Sequence, residues 1–387
     1  MRYRDSIFAS LLKSISRRQF RTIVERHDGD AYDKTFDSWD HLVALIFAQL
    51  SGASGLRGLA ASWNAQAHHH YHLGTGPIVR STLSDANARR PAAVFAETFA
   101  MLSAQADRHL RREGAEMLRL IDSSPVPLED LCTWANWNGR TRGLKLHVVY
   151  DPLADRPASV AITPANVNDV EVGRAAPIEA GATYVFDKGY CDYAWWTRLH
   201  EAGARFVTRP KSNARYEIVK RRPLRKRIGD GFKVIDDADV RLATQGKTKL
   251  AVPVRRVRLK RADGTQLSII TNDRKRSAIA IAMLYKARWQ IELLFRWIKQ
   301  HLQLRKFLGR GENAIRLQIL AAMIAYLLLR ITARTYRLTL PAIRLAELIA
   351  ACLFQRKPMA RIDKPPEVNA SKPISNNNPN QLELRYA

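Results

Sequence analysis

Apolar residues recur at helical spacing through the first part of the chain, and no run there alternates as a strand would. A capped apolar stretch predicts one helix over residues 38–52. Similar patterns predict further helices over residues 54–67 and 91–112. We therefore expect residues 1–112 to form an all-helical domain.

A short segment between these helices is a candidate for contact with DNA. Residues 77–90 are typical of a turn followed by a helix, with Ser81 as its predicted cap. Small polar and basic side chains on that helix suit a helix-turn-helix in a major groove, but an ordinary linker helix has the same pattern. The histidines of residues 68–72 point around a helix, so we interpret them as its polar end rather than as a zinc site.

From residue 117 onwards, short apolar runs bounded by turn residues predict strands. Asp122 and Asp187 each come directly after one of these strands, and Ser123-Ser-Pro125 is expected to stop the first strand. The alternation of strands and helices predicts an α/β fold with a mixed sheet covered by helices. The predicted order is strand, strand, strand, helix, strand, helix, strand, over residues 117–121, 143–150, 156–163, 170–180, 183–186, 192–202 and 204–208.

The remainder of the chain divides into three parts. Residues 210–273 predict a small β insertion with a basic loop at 220–227. Helices follow from residue 275 to about 354, and the uncharged stretch at 317–329 is too short to span a bilayer, which makes it a predicted buried helix. The Pro/Asn/Ser-rich residues 356–387 are expected to be a disordered tail.

The charge balance indicates a polyanionic partner. Lys and Arg number 63 against 36 Asp and Glu, which gives a net charge of +27. Nucleic acid is the first candidate, and no amphipathic basic helix at a terminus supports a membrane surface instead. Three widely separated cysteines and the absence of a signal-peptide pattern favour the reducing cytoplasm, with the protein at the nucleoid.

One predicted helix gathers polar residues on a single face. Tyr285, Arg288, Glu292 and Lys299 are spaced so that they fall within an arc of about 60°. The carboxylate could hold a divalent metal while the cations contact phosphate oxygens and the phenol donates a hydrogen bond. A solvated helix face with an Arg-Glu pair fits the same spacing.

Three carboxylates from separate elements form a pattern that phosphoryl transfer can use. If the strands before Asp122 and Asp187 are neighbours, their carboxylates emerge one strand spacing apart, and Glu292 can join them from a later helix. Hard ions such as Mg²⁺ or Mn²⁺ take oxygen ligands, and two such ions stabilise the attacking and leaving oxygens of an in-line displacement.

These residues carry a resemblance to a known family. The chain resembles bacterial insertion-sequence transposases of the DDE class, in the family named after insertion sequence four. The segments at 143–147, 163–169, 270–273 and 36–60 are also similar to its members. The main motifs are Leu-Ile-Asp122-Ser-Ser, Val-Phe-Asp187-Lys-Gly-Tyr190, Phe206-Val-Thr-Arg209 and Tyr285-(2)-Arg288-(3)-Glu292-(6)-Lys299.

The resemblance implies a ribonuclease-H-like catalytic domain over residues 113–355, with the β insertion before its last helices and an N-terminal domain that binds DNA ends. It implies Asp122, Asp187 and Glu292 as catalytic ligands for two Mg²⁺ or Mn²⁺ ions. It further implies a homodimer on double-stranded DNA, with the inverted-repeat ends and the target as substrates. The implied DNA contacts are Tyr285, Arg288, Lys299, Lys188 and Arg209.

Some relatives cut DNA through a hairpin intermediate and stack a flipped base on a tryptophan in the insertion. No tryptophan lies between Trp196 and Trp289 here, so the resemblance does not extend to that step. Two other functions fit the same residues: a metal-dependent nuclease that cuts without joining, and a DNA-binding regulator whose acids are structural.

Overall fold

The fold was determined from a computed structural model, which describes residues 5–31, 33, 35–112, 116–128, 132–136, 139, 142–224, 228–243, 250, 252–301 and 307–364. The helices are α1 (Ile7–Leu12), α2 (Arg17–Arg26), α3 (Ser38–Ser51), α4 (Leu56–Asn64), α5 (Ala67–Leu73), α6 (Arg80–Arg89), α7 (Ala92–Arg112), α8 (Asp169–Ala175), α9 (Tyr193–Glu201), α10 (Ala278–Ala287), α11 (Trp289–His301), α12 (Glu312–Thr335) and α13 (Ala342–Cys352). The strands are β1 (Leu118–Pro127), β2 (Gly143–Asp151), β3 (Arg156–Pro164), β4 (Thr183–Phe186), β5 (Arg205–Thr208), β6 (Arg215–Arg221), β7 (Ile228–Gly229), β8 (Phe232–Ala243), β9 (Val254–Arg261) and β10 (Gln266–Thr271).

The strands of the described chain form one mixed sheet, in the order β3-β2-β1-β4-β5-β10-β9-β8-β6, with β7 paired to β8. β1, β2 and β3 are antiparallel neighbours, and β4 and β5 run parallel to β1. The predicted mixed α/β fold is confirmed. The β insertion extends this same sheet, because β10 pairs with β5.

β1 is longer than its sequence pattern predicts. Pro125 was expected to stop the strand, but β1 continues to Pro127 along β2. Its parallel pairing with β4 ends at Ile121, so beyond that point β1 has a partner on one side only. A proline lacks a backbone N–H and is tolerated where one edge of a strand is unpaired. Asp122 therefore lies within β1, at the point where β4 has ended.

Two predicted helix ends need correction. α6 begins at Arg80 after Val79, which makes no side-chain cap, so Ser81 is not the cap. α8 ends at Ala175 rather than near residue 180, because Pro177 forces the residue before it into an extended conformation.

The predicted helix through residues 275–303 is two helices that meet at Arg288. The N–H of Arg288 bonds to the Tyr285 carbonyl, and the N–H of Ile291 bonds to the Arg288 carbonyl. These bonds span three residues instead of four, which tightens the backbone as a 3₁₀ turn does. Tyr285 and Glu292 consequently belong to different helices, α10 and α11.

α12 is the central buried helix and joins the helical part of the chain to the rest. It is long and apolar enough to cross a membrane by length and composition, but 83% of its apolar window is buried. It packs against α3, α6 and α7 on one side and against β3 on another. The predicted buried helix at 317–329 is confirmed as the central part of α12.

The N-terminal helices share a hydrophobic core with the C-terminal part of the chain. The N–H groups of Ile7 and Phe8 bond to the carbonyls of Gln355 and Leu353. Residues 356–364, predicted to begin the tail, are ordered instead, with Met359 buried in this core. A disordered tail could only begin beyond residue 364, and residues 365–387 lie outside the described chain.

Candidate active site

The first two acids are adjacent because their strands pair in parallel. Ile121 of β1 is the register partner of Phe186 of β4, and Asp122 and Asp187 follow them directly. Ile121 and Phe186 both belong to the core cluster beneath α8 and α9. Since side chains alternate along extended backbone, the two aspartates point to the opposite face of the sheet.

The junction of α10 and α11 covers that face and brings the third acid to the first two. Arg288 donates from Nη1 to Oδ2 of Asp122 at 2.9 Å and from Nη2 to Oε1 of Glu292 at 2.5 Å. The hydroxyl of Tyr285 donates to Oδ1 of Asp187 at 3.1 Å. The guanidinium thus links Asp122 to Glu292, and the phenol holds Asp187, whose charge acts on Asp122. These three carboxylates lie 65 and 105 residues apart in the chain.

The electrostatics indicate a crowded, partly desolvated cluster of acids. The pKa of Asp122 is raised to about 6, chiefly by burial and also by the charges of Glu292 and Asp187. The Ser123 N–H and the Arg288 charge act in the opposite direction and lower it. Burial, together with the charge of Asp187, also raises the pKa of Tyr285 to about 12. Tyr285 thus stays protonated at neutral pH and remains a hydrogen-bond donor.

The donor chemistry of this cluster fits a hard divalent cation, since it consists of carboxylate oxygens and two further acids lie close enough to Asp122 for their charges to raise its pKa. Within the described residues, however, no three His, Cys, Asp or Glu side chains converge closely enough to hold a metal ion. The guanidinium of Arg288 lies between Asp122 and Glu292 and supplies the positive charge there.

The other three predicted DNA contacts lie on elements that also carry or adjoin the residues of this cluster. Lys188 is exposed in the single 3₁₀ turn after Asp187. Arg209 follows β5 and is close enough for its charge to lower the pKa of Tyr285. Lys299 is half-buried on α11, two turns beyond Glu292. The structure thus joins five of the eight predicted residues by direct hydrogen bonds and places Arg209 beside them.

Sequence reasoning gave no role to a second polar group, which lies behind Asp122. Ser123 donates its hydroxyl to Asp169, and Lys145 donates to the same carboxylate. The segments at 143–147 and 163–169 were noted only for their family likeness. Their spacing in the sequence gave no indication that they meet at the residue after Asp122.

Comparison with known proteins gives a consistent result. A family model described as a transposase DDE domain matches residues 113–328, and one described as a domain of unknown function matches residues 3–76. The transposase y4zB of Sinorhizobium fredii is 60% identical over 304 residues, covering 79% of this chain and 85% of the relative. A transposase for the insertion sequence element IS5377 of Geobacillus stearothermophilus is 32% identical over 253 residues, covering 65% of this chain and 66% of the relative.

A solved structure matches the overall fold. The cryo-EM structure of a piggyBac transposase synaptic complex with hairpin DNA aligns with a TM-score of 0.51, covering 95% of this chain and 84% of that chain. The sequences are 10% identical, so this likeness concerns the fold alone.

Proposed function

We propose that this chain, which belongs to the family of transposases with a DDE domain, binds the ends of an insertion sequence and catalyses metal-dependent strand cleavage and strand transfer there, as cut-and-paste DNA transposition. The observation that supports the chemistry is the proximity of Asp122, Asp187 and Glu292 at the α10–α11 junction. Carboxylates so far apart in sequence need no common site for folding alone, whereas phosphoryl transfer requires one.

The three carboxylates would hold two Mg²⁺ or Mn²⁺ ions. When bound, such ions supply charge stabilisation to an in-line displacement at phosphorus. The charges of Glu292 and Asp187 both raise the pKa of Asp122, so the three carboxylates lie close enough together to contribute ligands to one site. Arg288 must release at least one carboxylate for this, and its guanidinium is then available for a phosphate oxygen.

The remaining cations position the DNA. Lys188 lies just after β4 and Asp187, and Arg209 lies just after the neighbouring strand β5. Lys299 lies on α11, the helix that carries Glu292. Each is a phosphate contact in this proposal, which fixes the scissile bond relative to the carboxylates. The net charge of +27 supplies the sequence-independent part of DNA affinity.

The partners and location follow from the same chemistry. An insertion sequence has two ends and each chain has one acidic cluster, so we propose a homodimer in the complex with double-stranded DNA. The N-terminal helices would recognise the inverted-repeat ends. A DNA substrate of this kind places the protein in the cytoplasm, at the nucleoid.

A labelled-end assay separates this function from its two rivals. A duplex carrying the terminal inverted repeat that flanks the coding sequence is incubated with the full-length protein and Mg²⁺. We expect nicked ends and joined products with target DNA. Cleavage without joining would favour the nuclease, and binding without cleavage would favour the regulator.

Variants of the three acids identify the site within the same assay. Asp122→Ala, Asp187→Ala and Glu292→Ala should each reduce cleavage by at least 100-fold while DNA affinity changes less than about threefold, because cations elsewhere supply most of that affinity. Glu171→Ala removes an exposed acid of α8 and is the matched control. An acid whose alanine variant cleaves normally does not belong to the site.

A further inference from the structure

We propose that Asp169 is a positioning residue for the acidic site, holding the chain segments that follow both Asp122 and Asp187 from the opposite face of the sheet. This inference rests on the proposed function for its catalytic consequence, but its structural part can be measured without DNA. Asp169 is the first residue of α8 and lies 47 positions after Asp122.

The link to Asp122 passes through Ser123. The backbone N–H of Ser123 donates to Oδ1 of Asp122 at 2.8 Å, and its hydroxyl donates to Oδ1 of Asp169 at 2.7 Å. Asp169 therefore fixes the residue whose amide orients the Asp122 carboxylate.

The link to Asp187 passes through the turn that follows it. A Cβ placed on Gly189 would lie 3.5 Å from Oδ2 of Asp169, so the second oxygen of this carboxylate faces the backbone of that turn. Burial, and after it the charge of Asp169, raises the pKa of Tyr190, the last residue of the turn. One carboxylate thus accepts a hydrogen bond from the segment after Asp122 and lies beside the segment after Asp187.

Asp169 is itself held by the neighbouring strands. Lys145 of β2 donates to Oδ1 of Asp169 at 3.1 Å and to the Val167 carbonyl at 2.7 Å. His147 is the cross-strand partner of Ser123 and bonds through Nε2 with the Thr163 hydroxyl at 2.9 Å.

Lys145 is the cation that balances Asp169. Burial lowers the pKa of His147 to about 4, which leaves its ring neutral at pH 7 even though Nδ1 lies 3.9 Å from Asp169. The Lys145 side chain is only 16% exposed, so its ion pair with Asp169 is partly shielded from solvent. The Asp169 carboxylate is thus held between the Lys145 ammonium and the Ser123 hydroxyl.

The two groups occupy opposite faces of β1. Asp122 faces the α10–α11 junction, whereas Ser123, the next residue along the strand, faces α8. Asp169 therefore acts through the backbone of β1 and the turn after Asp187 rather than by contact with the Arg288 cluster. Its loss should change the geometry of the site more than its charge.

The test measures Mn²⁺ binding by the DNA-free full-length protein and hydrogen exchange at the Ser123 amide. For Asp169→Ala we expect at least a tenfold loss of Mn²⁺ affinity, at least tenfold faster exchange at Ser123 and at least a 30-fold slower cleavage rate, with DNA affinity unchanged. Asp169→Asn keeps an acceptor for Ser123, so the logarithm of each of its fold-changes should be less than half of that for Asp169→Ala. If the alanine variant does not fold, the asparagine variant still tests the proposal.

Two comparisons make the outcome specific. Glu171→Ala, in the same helical turn, should leave all three measurements unchanged. Ser123→Ala should reproduce part of the loss of Mn²⁺ affinity in Asp169→Ala, because it removes the link to Asp122 and leaves the approach to Gly189. Adding Ser123→Ala to Asp169→Ala should weaken Mn²⁺ binding by less than a further threefold, because the contact between them is already lost. Fully additive losses, or wild-type exchange at Ser123 in Asp169→Ala, would overturn the proposal. A wild-type protein that binds no metal and cleaves no DNA would instead overturn the proposed function, while the exchange result would still decide the role of Asp169.

Discussion

At the scale of single residues, the half-buried carboxyl of Asp122 links the stability of the protein to its chemistry. Its pKa of about 6 in the folded chain lies above the value of 3.8 for an exposed aspartate, chiefly because of burial. The folded protein therefore binds this proton more tightly than the unfolded chain does. Above pH 6 the ionised carboxylate lowers the free energy of unfolding, and this cost disappears as the pH falls from 6 to 4.

We predict that Asp122→Asn stabilises the metal-free protein. At pH 7.5 in EDTA the free energy of unfolding should rise by about 1–3 kcal/mol, because the variant lacks the buried charge. The gain should shrink towards zero near pH 4. Denaturant unfolding of both proteins across this pH range measures it. A variant that is less stable at pH 7.5 would show that the pairing of Asp122 with Arg288 outweighs its burial.

Arg288 gives a second prediction at this scale. From the sequence we expected Arg288 to pair with Glu292 at i,i+4 spacing and to contact DNA phosphate, and the structure adds a contact with Asp122. The guanidinium occupies oxygens of Asp122 and Glu292 that a metal ion would use. Arg288→Ala should therefore bind Mn²⁺ at least threefold more tightly without DNA. Its cleavage should nevertheless be at least tenfold slower, because a phosphate contact is lost. Lys286→Ala is the control, because Lys286 is a cation near the end of α10 that pairs with Asp230 instead. Weaker Mn²⁺ binding by Arg288→Ala would mean that Arg288 mainly holds the acids in place.

At the scale of elements, the sequence located the strands that lead to Asp122 and Asp187 but ended β1 too early, so Asp122 lies within β1 rather than after it. The apolar runs before Asp122 and Asp187 were enough to predict the strands, because a buried strand must be apolar on both faces. The continuation past Pro125 depends on where β4 ends, which is a property of the neighbouring strand. The boundary between α10 and α11 at Arg288 could not be predicted either, since the residues around it have an uninterrupted helical pattern.

The helix α11 allows the position of Lys299 to be tested separately from metal binding. Lys299 is two turns from Glu292 and is a cation, so it cannot ligate metal. We predict that Lys299→Ala slows cleavage at least fivefold with an unchanged Mg²⁺ requirement. Arg296→Ala, which removes an exposed cation from the same helix, should have a smaller effect. A Lys299→Ala protein that needs more Mg²⁺ would contradict this separation of roles.

At the scale of the whole molecule, the fold class, the likeness to insertion-sequence DDE transposases and the burial of α12 were all predicted from the sequence, and all are confirmed. The position of the N-terminal helices was not. Their apolar faces indicate that they are covered, but not by what, and the structure shows that α3 and α7 pack against α12. Pairing between distant helices leaves no local pattern in the sequence.

This shared core predicts the outcome of truncation. Deleting residues 1–112 exposes the apolar surface of α12, so the remaining chain should be insoluble or lack a cooperative thermal transition. Ending the chain at residue 364 should leave the transition unchanged. Soluble expression and thermal unfolding measure both. A truncated chain that is soluble and melts cooperatively would show that the catalytic part folds without the N-terminal helices.

The central claim is that the three acids act by ligating metal during DNA cleavage, and a change of metal preference in Asp187→Cys tests it most directly. A thiolate is a poor ligand for Mg²⁺ and a better one for softer ions. In the labelled-end assay, we expect the variant to be inactive with Mg²⁺ and to recover at least a tenth of wild-type cleavage with Mn²⁺ or Cd²⁺. Wild-type activity of the variant with Mg²⁺, or no recovery with any of these ions, would contradict the account.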